Sequence, residues 1–162
     1  MKIHRLPIVH AEELPKLAPR EFNILPTNAL EKLFPSILNA TIAFGLATPV
    51  LVYFGPGSTW KLTVIGVFAA YESYVFLARK DRCFGMKIAD TYWERQYPLS
   101  QHVLYNLLYT ASFATLFVHI FFPLDIFLIN ILLLQLPFVL LTGTTVHGYA
   151  SGMRTVKITP KT

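Results

Sequence analysis

One carboxylate lies deep inside a long apolar run of this chain. Glu72 comes seven residues before Arg79, where that run ends. In an α-helix this spacing places Glu72 roughly 10 Å along the axis from the boundary. If the run crosses a membrane, an ionised carboxylate there costs on the order of 2 to 3 kcal/mol unless it is protonated, paired or hydrated. Such a group either binds a cation or relays a proton, or it forms hydrogen bonds that hold helices together.

Three other polar residues lie at a similar depth in three further apolar runs. Asn39 is seven residues after Lys32, and Thr110 and Gln135 are about as far from the polar residues that flank their own runs. The sequence therefore predicts an intramembrane polar layer to which each run contributes one side chain, with Glu72 as its titratable member. The layer is an ion site or a set of contacts between helices, each worth about 0.6 to 2 kcal/mol.

The four runs have the length of membrane-spanning helices. They cover residues 33–54, 59–78, 100–122 and 124–142, each close to the roughly 20 residues that cross about 30 Å of hydrocarbon. Their continuous apolar character favours helices over barrel strands, which alternate. Charged residues make up 14% of the chain, against about 25% in soluble proteins. We therefore predict an all-α membrane protein, a four-transmembrane-helix bundle with an interfacial cytoplasmic loop.

Basic residues predict the orientation of this bundle. Thirteen of the fourteen Lys and Arg residues lie in the N-terminal stretch 1–32, the middle loop 79–99 or the tail, and Lys61 alone falls on the opposite side. By the positive-inside rule, both termini and the middle loop are cytoplasmic in a multi-pass protein of the plasma membrane. The net charge of +5 is dispersed around apolar runs, so anionic lipid head groups are the expected partner and nucleic acid is not.

The chain divides into three parts. Residues 1–27 form a Pro-rich cytoplasmic arm, residues 28–148 the membrane domain, and residues 149–162 a cytoplasmic tail that we predict to be a short extended segment. Asn28 and Glu31 have the spacing of a capping box, which predicts a helix start at this boundary.

Two segments carry a family resemblance. The middle loop, DRCFGMKIADTYW, and the tail, TTVHGYASGMRTVKI, resemble the RDD family of small multi-span membrane proteins, from about residue 28 onward. Gly85 and Lys87 match the family's turn after the second span, and His147 matches its closing element. The family's Arg and two Asp residues are replaced, and the residues at those positions are Lys32, Asn39 and Gly148.

The resemblance implies the four-helix fold and, for some members, transport of ligands or cation and proton exchange. We therefore expect transport of a small ligand or ion. The alternative is a non-transporting scaffold or accessory subunit, working as a homo-oligomer or with a membrane partner protein. The sequence contains no HExxH, phosphate loop, GxSxG or CxxC motif, so we expect no enzymatic activity, no cofactor and no metal site.

Overall fold

The computed structural model describes residues 22–78 and 82–160, and this part of the chain is mostly helical. The arm upstream of residue 22 lies outside the described residues, and so do Arg79, Lys80, Asp81 and Lys161. What the sequence predicts for these residues stays a prediction.

Most of the helical residues fall in four stretches that correspond to the four apolar runs. The helices are α1 Ala29–Phe54, α2 Ser58–Leu77, α3 Phe84–Ile88, α4 Leu99–Ala114 with a 3-10 turn Thr115–Phe117, α5 Asp125–Ile129, a π-helical segment Asn130–Gln135, α6 Leu136–Thr142 and α7 Val146–Ser151. The segments from α5 to α6 are continuous and are called the last apolar helix (Asp125–Thr142). Among the described residues, α1 and the last apolar helix are long and apolar enough to cross a membrane.

The helix of the third apolar run, α4 with its 3-10 turn, is shorter than the predicted span of residues 100–122. Helical structure ends at Phe117, and Val118 is already extended. The reason is the carboxylate of Asp125, which accepts hydrogen bonds of 2.7 to 3.4 Å from three backbone N–H groups of the preceding loop. These bonds give the loop backbone an alternative to further helix.

The first helix begins where the capping box predicts. The backbone N–H of Glu31 donates to Asn28 Oδ1 at 2.8 Å, and the N–H of Asn28 donates to Glu31 Oε2 at 2.9 Å. Pro35 and Pro49 lie inside α1 without ending it. A proline removes one hydrogen-bond donor, and neighbouring helices can compensate for that loss in a packed bundle.

A three-stranded antiparallel sheet corrects the all-α prediction. It joins β1 Phe22–Pro26, β2 Thr91–Trp93 and β3 Thr155–Pro160 in the order β1-β3-β2. The tail is extended as predicted, although α7 precedes its strand. The arm and the middle loop each supply an edge strand to the tail, so the end of the arm is ordered by pairing rather than by its own sequence.

The apolar core lies between α1, α2 and α4. Ala43 and Ala47 are fully buried and let α2 approach α1, where Val64 is buried against them. Phe68 of α2 stacks on Phe113 of α4 with ring centroids 4.0 Å apart. This packing holds the three helices in the arrangement that positions the polar residues described next.

Candidate functional site

Asn39 and Glu72, which were predicted to lie at the same depth, are in direct contact. Asn39 Nδ2 donates to Glu72 Oε1 at 2.8 Å and to Cys83 Sγ at 3.2 Å. Asn39 Oδ1 accepts a hydrogen bond from the backbone N–H of Gly85 at 3.3 Å, which fixes the orientation of the amide. One buried side chain therefore joins α1, α2 and the segment that begins α3.

The segment after α2 docks closely on α1. Cys83 caps α3, since its Sγ accepts from the backbone N–H of Met86 at 3.4 Å. A Cβ at Gly85 would lie 2.5 Å from the backbone oxygen of Pro35, so this contact requires glycine. Burial raises the pKa of the Cys83 thiol to about 11, and the negative charge of the Glu72 carboxylate contributes to the same shift. The thiol is therefore protonated near neutral pH and is not a nucleophile.

A cavity of about 70 Å³, lined by both polar and apolar groups, lies beside Asn39, Glu72 and Cys83. Its aromatic wall is formed by Trp93, His102, Tyr105, Tyr109 and His147. Pockets that bind organic ligands usually measure about 300 to 1,000 Å³, whereas a water molecule needs only about 10 to 15 Å³. The cavity thus has room for a few water molecules or one small ion, and is too small for an organic solute.

His147 contributes a neutral ring to this wall. It stacks on Tyr109 and meets Tyr105 edge to face, with ring centroids 4.8 Å apart in both pairs. The residue is 6% exposed, and its Nδ1 has no hydrogen-bond partner among the described residues. Burial lowers the pKa of His147 to about 3, because a charged imidazole is disfavoured away from water. His147 therefore brings no positive charge to the cavity at neutral pH.

Thr110 and Gln135, the other two members of the predicted layer, lie in separate hydrogen-bonded groups. Thr110 Oγ1 donates to Asn106 Oδ1 at 3.1 Å, and Asn106 Nδ2 donates to Ser73 Oγ at 2.7 Å. Gln135 Oε1 accepts from the backbone N–H of Val146 at 3.2 Å. These groups join α2 to α4 and the last apolar helix to α7. The structure thus brings together two of the four predicted residues.

The positions singled out by the family resemblance have distinct surroundings. Lys32 Nζ donates to two backbone carbonyls, at 2.5 and 2.7 Å, and the second belongs to Gly143 at the end of the last apolar helix. A Cβ at Gly148 would lie 2.6 Å from Thr144 Oγ1, so glycine is required there too. Lys87 is exposed and does not line the cavity.

The aromatic wall was not predicted from the sequence. His102, Tyr105 and Tyr109 are spaced three and four residues apart, so they lie on one face of α4. That spacing was a usable signal, but an aromatic face on an apolar helix is also what ordinary core packing produces.

Comparisons with known proteins leave the family open. No protein-family model, curated protein or solved structure matches this chain. The likeness to the RDD family therefore stays a prediction. Within residues 22–78 and 82–160, no group of three or more His, Cys, Asp and Glu side chains is placed to hold a metal ion. Besides Glu72 and its amide partner Asn39, the lining of the cavity includes Glu31 and Lys32, and the cavity has space for water or a small ion.

Proposed function

We propose that this chain is an integral membrane protein of RDD type, without enzymatic activity, that takes up a proton or a small monovalent cation at Glu72 from the cytoplasm. The observation that carries the proposal is that Glu72 lines a small cavity and has the neutral amide of Asn39 as its hydrogen-bond partner. A carboxylate at membrane depth costs about 3 kcal/mol, and a bound proton or cation relieves that cost.

Exposed apolar side chains support a place in the bilayer. Soluble monomers rarely expose large contiguous apolar patches. Here each of the four long helices presents such side chains: Val52 of α1 is 75% exposed, Leu62 of α2 is 68%, Leu107 of α4 is 64% and Leu141 of the last apolar helix is 85%. These side chains would be unfavourably exposed in water and favourably placed against lipid.

The lengths of the helices support four crossings. At 1.5 Å per residue, the 20 residues of α2 span roughly 30 Å. The 16 residues of α4, extended by the 3-10 turn at about 2 Å per residue, also reach roughly 30 Å. Both lengths match the hydrocarbon core, as does the length of the last apolar helix, whose 18 residues span roughly 27 Å. The 26 residues of α1 span roughly 39 Å, which is more than enough to cross the core.

The sheet supports placing the arm, the middle loop and the tail on one side of the membrane. Each of these segments supplies one strand, and pairing requires all three to be in the same compartment. An ion pair of 2.8 Å between Lys157 of the tail and Glu31 at the start of α1 ties the same segments together. Their excess of basic residues makes that side the cytoplasm.

The residues at the family positions support the RDD assignment. Lys32 and Asn39 are far in sequence from His147 and Gly148, yet all four residues line the cavity at Glu72. In this chain the carboxylate of the site therefore comes from α2, whereas the family's acidic positions carry Asn39 and Gly148.

Transport is tested by proton flux into liposomes. The full chain is reconstituted into vesicles that contain a pH-sensitive dye, and a potassium gradient with valinomycin sets an inside-negative voltage. We expect acid influx with the wild-type protein, and we expect Glu72→Gln to reduce it to the rate of protein-free vesicles. Glutamine keeps the acceptor for Asn39 and removes the titratable group, so the fold should survive.

The matched control is Glu94→Gln, at an exposed carboxylate of the middle loop, which should leave the flux unchanged. Uptake of a monovalent cation is tested under the same voltage, with sodium outside the vesicles and a sodium-sensitive dye inside them. Flux that persists in Glu72→Gln, with unchanged thermal stability in detergent, would show that Glu72 is not the site.

A scaffold is the second candidate, favoured by the three hydrogen bonds of Asn39 that fix α1, α2 and the segment before α3. A scaffold predicts no flux from wild-type protein for any of these ions. It also predicts that Asn39→Ala, which removes all three hydrogen bonds, lowers the stability of the purified protein or of its complexes.

A further inference from the structure

An apolar groove lies between α1, α4 and the last apolar helix. Tyr109 and His147 line both this groove and the Glu72 cavity. It has a volume of about 370 Å³ and is lined mainly by apolar side chains, including Leu33, Ile37, Phe113, Ile131 and Leu136. Phe68 lies on its wall, where the α2–α4 stack reaches the groove. The groove lies beside the Glu72 cavity, and the two share a few lining residues, Lys32 among them.

The length of the groove matches one leaflet of a bilayer. On α1 it runs from Ala29 to Ala40, and on the last apolar helix from Val139 back to Phe127. At 1.5 Å per residue, these stretches span roughly 17 Å. That is about half of the 30 Å hydrocarbon core. The groove therefore extends from the cytoplasmic boundary to about the membrane midplane.

The lining of the groove suits an acyl chain. About 370 Å³ of space lies between side chains that are mainly apolar. The apolar tail of a lipid is favourably placed against such side chains.

A positive charge lies at the cytoplasmic end of the groove. Lys32 lines it there, and its ammonium group donates to the carbonyls of Thr27 and Gly143. An ammonium carries three donors, so one remains for a further acceptor. The neighbouring carboxylate of Glu31 is paired with Lys157 at 2.8 Å, so it does not cancel the charge of Lys32. A phosphate at this position would complete the ammonium's hydrogen bonds.

We propose that the groove binds one glycerophospholipid of the cytoplasmic leaflet, with an acyl chain along α1 and an anionic head group at Lys32. The proposal depends on the membrane location proposed above and is independent of the chemistry at Glu72. The bound lipid completes the packing between α1 and the last apolar helix, and it covers the apolar side of the wall that carries Tyr109 and His147.

Brominated lipids test the acyl-chain site. Full-length Phe127→Trp places a fluorophore in the groove, and Leu132→Trp places one on the outward face of the same helix, where Leu132 is 54% exposed. Each protein is loaded with phosphatidylglycerol carrying brominated chains, which quench tryptophan, and is then diluted into lipid-free micelles. The signal of Trp60 and Trp93 is subtracted with the unaltered protein.

We expect quenching at position 127 to decay about tenfold more slowly than at position 132, as for a specifically bound lipid. Equal decay at both positions would overturn the proposal, because it would mean that lipid covers the groove only as ordinary boundary lipid.

The head group is tested by comparing brominated phosphatidylglycerol with brominated phosphatidylcholine. We expect about a fivefold preference for the anionic lipid at position 127, the value of one lysine near the membrane surface. Lys32→Gln should abolish the preference, while Lys87→Gln, at an exposed lysine of the same face, should keep it. A preference that survives Lys32→Gln would refute the role of Lys32. Glu72→Gln should retain the lipid, so this proposal and the transport proposal fail separately.

Discussion

Replacing Gly85 by alanine should destabilise the protein by about 3 kcal/mol, the upper part of the range for overpacked positions. The added Cβ would lie 2.5 Å from the backbone oxygen and 2.7 Å from the Cα of Pro35. Neither atom belongs to a side chain that can rotate away, so α3 must lift off α1. The movement also breaks the hydrogen bond from Gly85 to Asn39, which leaves a buried amide oxygen unsatisfied.

This effect is measured as the free energy of unfolding in mixed micelles titrated with a denaturing detergent. The matched control is Gly45→Ala in α1, where a Cβ would meet nothing within 4 Å. That substitution should be neutral or stabilise the helix by up to about 1 kcal/mol. Lifting of α3 should also expose Cys83, so its thiol should react faster in Gly85→Ala. Equal stability of the two alanine variants would contradict the close contact between α3 and α1.

Acid should destabilise the protein through His147. In the unfolded chain the imidazole binds a proton near pH 6.5, and in the folded protein only near pH 3, because burial lowers the pKa of His147. Between these values the unfolded state holds more protons, so stability falls as the pH falls. At about 1.4 kcal/mol per pH unit, lowering the pH from 6.5 to 4 should cost about 3 kcal/mol.

His147→Phe separates this effect from the titration of carboxylates elsewhere in the chain. Phenylalanine keeps an aromatic ring against Tyr105 and Tyr109 and removes the buried Nδ1, so the stability of the variant should fall less on acidification, by about 3 kcal/mol at pH 4. His119→Phe, at an exposed histidine, serves as the control and should follow the wild-type pH profile. Parallel profiles for wild type and His147→Phe would mean that His147 is not buried in its neutral form.

The position of a polar residue along its helix could be predicted from the sequence. The direction in which its side chain points around the helix axis could not. Asn39 and Glu72 were predicted at one level and do form a hydrogen bond. Thr110 points instead to Asn106, one turn earlier on its own helix. Gln135 ends a π-helical segment, which changes the direction of its side chain relative to a regular helix. A count of residues from the membrane boundary contains no information about either rotation.

The three-stranded sheet could not be predicted from the sequence for a related reason. Alternating apolar residues at Val156 and Ile158 indicated an extended tail, and β3 is found there. Its partners, β1 and β2, lie far away in the sequence, and neither has a pattern of its own that specifies pairing. Such pairing depends on the tertiary fold more than on local propensity. Gly85 and Gly148 were noticed through the family resemblance, but the close contacts that require glycine became apparent only in three dimensions.

Cysteine labelling tests whether the chain crosses the membrane four times with the Glu72 cavity toward the cytoplasm, as we propose. In a Cys83→Ser background, single cysteines replace Ser58 at the start of α2, Lys87 in the middle loop and Arg154 in the tail. Intact cells and inverted vesicles are treated with a membrane-impermeant maleimide. We expect position 58 to react only in intact cells, and positions 87 and 154 to react only in inverted vesicles. Labelling of all three positions from the same side would refute four crossings.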